Sequence, residues 1–115
     1  MYDDDITTTR AAFIDACQVE DLWDGEMETF EVGGDEVVLL KHEGQFFAFQ
    51  GVCPHQAIPL VEGRFEKGVL TCRAHLWQFD VTTGQGINPS NCRLKRYPVH
   101  VAGETVQIGV EPIAE

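Results

Sequence analysis

Between Phe13 and Val110 the chain is cut by glycines and polar turns into apolar or alternating runs of three to six residues, strand-sized and too short for ordinary helices. The runs cover residues 13–17, 27–32, 37–41, 45–50, 63–66, 69–71, 77–80, 97–102 and 105–110. Gly33-Gly34-Asp35, Glu43-Gly44 and Thr83-Gly84 mark turns, and residues 19–22 have room for a single helical turn. About nine or ten short strands at this spacing predict an all-β chain, an antiparallel sandwich or small barrel. With 115 residues there is one core to build, so a two-domain enzyme with its own nucleotide fold is excluded and any large cofactor must sit near the surface.

Period-2 alternation points to Phe30 and Val32, Val38 and Leu40, and Phe47 and Phe49 as residues that face inward together. Three segments break the pattern, residues 52–61, 72–77 and 84–91, and these loops are where chemistry is expected. The first two carry Cys53-Pro54-His55 and Cys72-Arg73-Ala74-His75, a C-x-H-x16-C-x2-H spacing. A structural zinc site usually pairs two Cys on one arm and two His on the other, each arm closing on one ion. Here each arm is mixed, which suits a two-iron cluster in which one iron takes both thiolates and the other both imidazoles.

Charge narrows the partners. The formal net charge is −11, and it is uneven: residues 1–40 hold 12 acids and one base, while residues 41–115 are balanced at 7 and 7. Nucleic acid, which needs clustered Lys and Arg, is excluded as a partner, and a polyanion or acidic protein partner is disfavoured. The acidic half is expected to be a solvated face or a docking surface. No stretch approaches the 18 apolar residues of a membrane span, and Met1-Tyr2-Asp3-Asp4-Asp5 is the reverse of a basic signal-peptide start, so a cytoplasmic protein with no membrane partner is expected. In that compartment four Cys read as metal ligands or buried thiols rather than disulfides. Residues 1–9 read as a flexible acidic arm and residues 10–112 as a single domain.

At the ligand pattern the chain resembles the Rieske-type [2Fe–2S] proteins. The resemblance assigns Cys53 and Cys72 as thiolate ligands and His55 and His75 as imidazole ligands of one Rieske-type cluster, carried by two hairpin-like loops at one tip of a small antiparallel β-structure. Asn88-Pro89-Ser90 matches the third, proline-containing loop that covers the cluster, with Pro89 against it. Leu22-Trp23-Asp24-Gly25-Glu26-Met27-Glu28-Thr29-Phe30, Cys53-Pro54-His55-Gln56, Cys72-Arg73-Ala74-His75-Leu76-Trp77, Gly86-Ile87-Asn88-Pro89 and Tyr97-Pro98-Val99 look like the soluble ferredoxins of toluene and alkene monooxygenases. Leu76, where many of the wider family have Gly, strengthens the likeness to that branch.

The resemblance implies a one-electron carrier, monomeric in isolation and not an enzyme. It would run between an NADH-dependent flavin and iron–sulfur reductase and a di-iron hydroxylase acting on hydrocarbons such as toluene or alkenes. Alternatives are the ferredoxin of an aromatic-ring dioxygenase, a Rieske-like small subunit of an enzyme such as nitrite reductase, and a structural zinc module. Respiratory Rieske subunits carry a second Cys in each loop and Ser and Tyr hydroxyls toward the cluster; the matching positions here are Ile58, Ala74, Trp77 and Phe79. With neither disulfide nor hydroxyls, the potential is expected in the low part of a range of roughly −150 to +300 mV.

The remaining candidates have plainer readings. Cys17 and Cys92 are expected to be inert buried thiols, and His42 and His100 surface histidines. Trp23, with Leu22, is expected to anchor the core. Trp77 and Phe79 are core aromatics that also cover the ligand loops, while Gln56 and Arg73 face solvent or a partner.

Overall fold

The computed structural model describes residues 12–54, 58–73 and 77–113. The acidic arm at 1–9 lies outside them, as do His55, Gln56, Ala74, His75 and Leu76. Among the described residues the chain forms eleven strands and two short 3₁₀ turns. In chain order they are β1 (Phe13–Gln18), η1 (Val19–Asp21), β2 (Met27–Val32), β3 (Asp35–His42), β4 (Gln45–Gln50), η2 (Leu60–Glu62), β5 (Arg64–Glu66), β6 (Val69–Thr71), β7 (Gln78–Asp80), β8 (Gly86–Asn88), β9 (Arg96–Tyr97), β10 (Val99–Ala102) and β11 (Thr105–Gly109). All pairings are antiparallel. The expected all-β architecture is what the chain builds.

Three sheets result, in the orders β9-β4-β3-β2, β10-β11-β1 and β5-β6-β7-β8. The first is the middle layer, and its central strand explains why. Val37, Val38, Leu39 and Leu40 are consecutive and all fully buried, the mark of a strand covered on both faces. Val38 and Leu40, with Phe49 of β4, pack against Leu70 and Phe79 of the small β5–β8 sheet. Val37 and Leu39, with Val32, Ala48 and Tyr97, pack against Val106 and Ile108 of the third sheet.

This arrangement corrects the expectation that Phe30, Val32, Val38, Leu40, Phe47 and Phe49 share one face. Phe30 stands opposite Val37 in the register, and both it and Val32 belong to the second core, whereas the other four belong to the first. Alternation identifies which residues of a strand go together, but not which of two buried faces they meet.

Two boundaries also differ. The run 97–102 is broken at Pro98, which has no amide hydrogen to continue a ladder, into β9 of the middle sheet and β10 of the third. Residues 84–91, expected as loop, contain β8, held at the edge of the small sheet by Gln78–Asn88 and Phe79–Gly86 pairing.

Candidate metal centre

Each ligand loop grows from a strand end in the first core and is closed the same way. The Cys53 N–H donates to the Ile58 carbonyl at 3.0 Å, and the Cys72 N–H donates to the Trp77 carbonyl at 2.7 Å. Cysteine to closing carbonyl is five residues in both loops, so the two thiols leave equivalent positions at the roots of matched turns. Both are buried, Cys53 at 2% and Cys72 at 0% exposure, and both pack in the one apolar cluster with Leu60, Leu70 and Phe79. None of the four cysteines is in a disulfide.

The root of the first loop is fixed by Gln50, which sequence reasoning passed over. Its side-chain amide donates to the Val52 carbonyl at 2.9 Å, and its side-chain oxygen accepts the Lys95 N–H at 2.8 Å. Val52 bridges Pro59 across the loop, and the Leu60 N–H returns to the Gly51 carbonyl at 2.9 Å. Gly63 then brings η2 against β6 so closely that a Cβ there would run into the Thr71 carbonyl oxygen. Arg73 of the second loop pairs with Glu62 at 3.2 Å, but both side chains are half or more exposed, so the pair contributes at most about 1 kcal/mol.

The third loop reaches the same region. Pro89 is half-buried and follows a cis Asn88–Pro89 bond. Behind it, the Gln85 amide donates to the Ser90 carbonyl at 2.8 Å and to the Cys92 carbonyl at 3.3 Å, while Arg93 donates to the Gln85 side-chain oxygen at 2.8 Å. The Cys92 thiol donates to the Pro89 carbonyl at 3.3 Å. Gln85 and Cys92 are thus the internal ties of this loop. No sequence signal marked either, because the partners are backbone carbonyls that any residue supplies.

Of the aromatic candidates, Phe79 is fully buried among the core residues that surround Cys53 and Cys72, and Trp77 is half-buried against the same cluster. Across the outer face of the small sheet, Arg64, Thr71, Gln78 and Asn88 stand opposite one another strand by strand. A cleft of about 590 Å³ runs along this polar row to Cys72.

Several expectations need correction. Cys17 and Cys92 are half-buried rather than buried. Burial still pushes both thiols up from the usual value, and the carboxylates of Asp21 and Glu28 add to the rise at Cys17. His42 is half-buried beside the Phe65 ring, 6.2 Å between centroids, whereas His100 is exposed as expected. Leu22 enters the core at 3% exposure, but Trp23 is 73% exposed. The backbone at Leu22 is extended, with φ −128 and ψ 125, so neighbouring side chains point to opposite sides and Trp23 faces solvent.

Two buried, unjoined thiols on matched loops fit a metal group held by one thiolate from each loop. The remaining donors expected of the set, His55 and His75, lie two and three residues beyond these roots, outside the described residues. Among the described residues no helix is long and apolar enough to cross a membrane.

Comparison with known proteins gives the family. Residues 12–98 match the Rieske [2Fe-2S] domain model. The chain is 57% identical over 102 residues to the alkene monooxygenase system ferredoxin component of Xanthobacter autotrophicus, covering 88% of this chain and 84% of that one. It is 31% identical over 100 residues to the naphthalene 1,2-dioxygenase/salicylate 5-hydroxylase ferredoxin component of Ralstonia sp., covering 86% and 96%. Among solved structures it superposes with a TM-score of 0.83 and 26% identity on a chain of the complex of reduced oxygenase and oxidized ferredoxin in carbazole 1,9a-dioxygenase, covering 90% of this chain and 97% of that one. With the domain model spanning most of the chain and both cysteines seated at the roots of matched loops, the protein belongs to the Rieske [2Fe–2S] family and is built for one cluster of that type.

Proposed function

We propose that this protein is a one-electron carrier, the ferredoxin component of a multicomponent hydrocarbon monooxygenase, acting in the cytoplasm between an NADH-dependent flavin and iron–sulfur reductase and a separate di-iron hydroxylase. The observation that carries this reading is the similarity, over most of both chains, to a monooxygenase ferredoxin, well above that to the dioxygenase ferredoxin. The carrier domain runs over residues 10–112 and acts as a monomer.

When bound, the cluster stores and releases a single electron. The chain's residues do the rest. Cys53 and Cys72 would hold the group through their thiolates, and the apolar residues packed around these two thiols exclude water. His55 and His75 would be its imidazole ligands and the exit route to a partner. Trp77, Pro89, Leu76 and Gln56 would complete the surroundings of the group. The exposed Pro54 and half-buried Pro89 give this end an apolar contact surface. Oxygen activation needs two electrons and each visit delivers one, so docking must be weak and quickly reversed.

The deciding experiment is metal and sulfide analysis of the purified protein, followed by NADH-driven turnover with reductase and hydroxylase. Two irons and two labile sulfides, a reduced-state paramagnetic signal with low average g, and turnover that requires the ferredoxin are expected. One zinc without sulfide, or turnover with a dioxygenase but not with the hydroxylase, would overturn the assignment.

A further inference from the structure

We propose that Trp23 and the carboxylates around it form a docking patch for a basic protein surface, at the end of the molecule opposite the ligand loops. The inference rests on the carrier reading above and adds a second contact region to the loop tip.

Trp23 is 73% exposed yet sits on a fixed turn. Its own N–H donates to Glu26 Oε1 at 2.8 Å, and the Glu26 N–H donates back to the Trp23 carbonyl at 2.9 Å. The Gly25 N–H reaches the Lys41 carbonyl at 2.8 Å, the Lys41 N–H reaches the Glu26 carbonyl at 3.1 Å, and Asp24 Oδ1 accepts the Gly44 N–H at 3.1 Å. The indole is therefore presented by a turn stapled to the β3–β4 hairpin, so ordering it on binding loses little entropy. Trp23 is the most exposed of the large apolar side chains among the described residues, and tryptophan is enriched at the energetic centres of interfaces.

Charge identifies the partner. Asp21, Asp24, Glu26 and Glu43 are all exposed on this turn and the hairpin it joins. The neighbouring cations are Lys41, whose ammonium lies 5.2 Å over the Phe46 ring, and Lys67 on the β5–β6 turn. Carboxylates thus outnumber cations around the indole. A second copy of this chain would set like charges against each other. A surface with Lys and Arg around an apolar slot is the complement.

The position decides what the patch does. The hairpin turn at Glu43-Gly44 stands the length of β4 from the root of the first ligand loop, roughly 20 Å at the rise of a strand. The same hairpin end meets the β5–β6 turn, where His42 packs at Gly68, and β6 runs from there toward Cys72. Anchoring at this end leaves the ligand loops uncovered, so it raises the local concentration of the carrier without competing with electron exchange.

The test is turnover of the reconstituted system against holoferredoxin concentration. Trp23→Ala should raise the half-saturating concentration roughly ten- to thirtyfold, as loss of a hot-spot residue does, with the limiting rate unchanged. Trp23→Phe should fall between, and Glu43→Gln should raise it about two- to fivefold and flatten its salt dependence. In ¹⁹F spectra of 5-fluorotryptophan-labelled holoprotein, the Trp23 resonance should shift on adding the partner that carries the basic surface. A half-saturating concentration within twofold of wild type, a limiting rate that falls in step, or a lowered urea midpoint in Trp23→Ala would each overturn the patch. So would a wild-type dimer that Trp23→Ala dissociates without changing turnover. If wild type itself supports no turnover, the carrier reading fails and this inference with it; active wild type with an unaffected Trp23→Ala removes the patch alone.

Discussion

Phe79 offers a test of hydrogen bonding around the two thiols. The ring is fully buried in the cluster of residues that holds Cys53 and Cys72, and it brings no hydroxyl. Phe79→Tyr should therefore raise the midpoint potential if the new hydroxyl reaches a cluster sulfur, since each such bond favours the reduced state. Protein-film voltammetry reads this directly, and an unchanged or lower midpoint would refute the role given to hydrogen bonding. Cys53→Ser and Cys72→Ser should each lose iron, because the replaced thiols are both buried in the core. Tyr97 offers a test in alkali. Its hydroxyl is pushed above the usual value of 10.0 by burial first and by the Asp35 carboxylate second. The folded state holds that proton more tightly than the unfolded state, so the contribution is intact below pH 10 and lost as pH rises above it. Urea midpoints should fall less between pH 9 and pH 11 in Tyr97→Phe than in wild type.

The elements that position the ligand loops are short, and their placement depends on close approaches rather than on length. η2 is one turn and β6 three residues, yet Gly63 lets them meet where no Cβ fits. Gly63→Ala should move the second ligand loop relative to the first, lowering iron occupancy as well as the thermal midpoint. Gly84→Ala, which would put a Cβ 2.8 Å from the Phe49 ring, should lower the thermal midpoint with less effect on iron. In the third loop, Gln85→Ala removes bonds to two carbonyls and one guanidinium, each worth about 1 kcal/mol, and should loosen Pro89 without unfolding the sheets. Amide exchange at residues 90–92 checks this: faster exchange confined to that loop is the expected outcome.

The whole molecule has two cores back to back on one sheet, and only the first contains Cys53 and Cys72. Metal removal should therefore act unevenly. Hydrogen exchange of the demetallated protein should speed up in β5–β8, while amides of β1, β10 and β11, packed on the second core, stay protected. Uniform loss of protection would mean that the three layers fold as one unit. Leu39→Ala, on the second core, should lower stability by about 2–5 kcal/mol and leave the spectrum of the bound cluster unchanged, because Leu39 faces away from the ligand side.

The class of fold, most strand positions and the two loops rooted at Cys53 and Cys72 are legible in the sequence, because glycine turns, period-2 runs and Cys–His spacing are local properties. The mixed arms at Cys53 and Cys72 needed no coordinates to point to two irons. Tertiary structure alone decided which core each alternating residue meets, since a strand buried on both faces, like β3, carries no polar side to give its orientation. It also decided that Pro98 divides one apolar run between two sheets, and that Gln50, Gln85 and Cys92 tie the loops through backbone carbonyls that any sequence supplies. The neighbours Leu22 and Trp23 make the same point. Both are apolar and both read as core, but an extended backbone can turn only one of them inward, and the space left by Val32, Leu39 and Val106 takes the leucine.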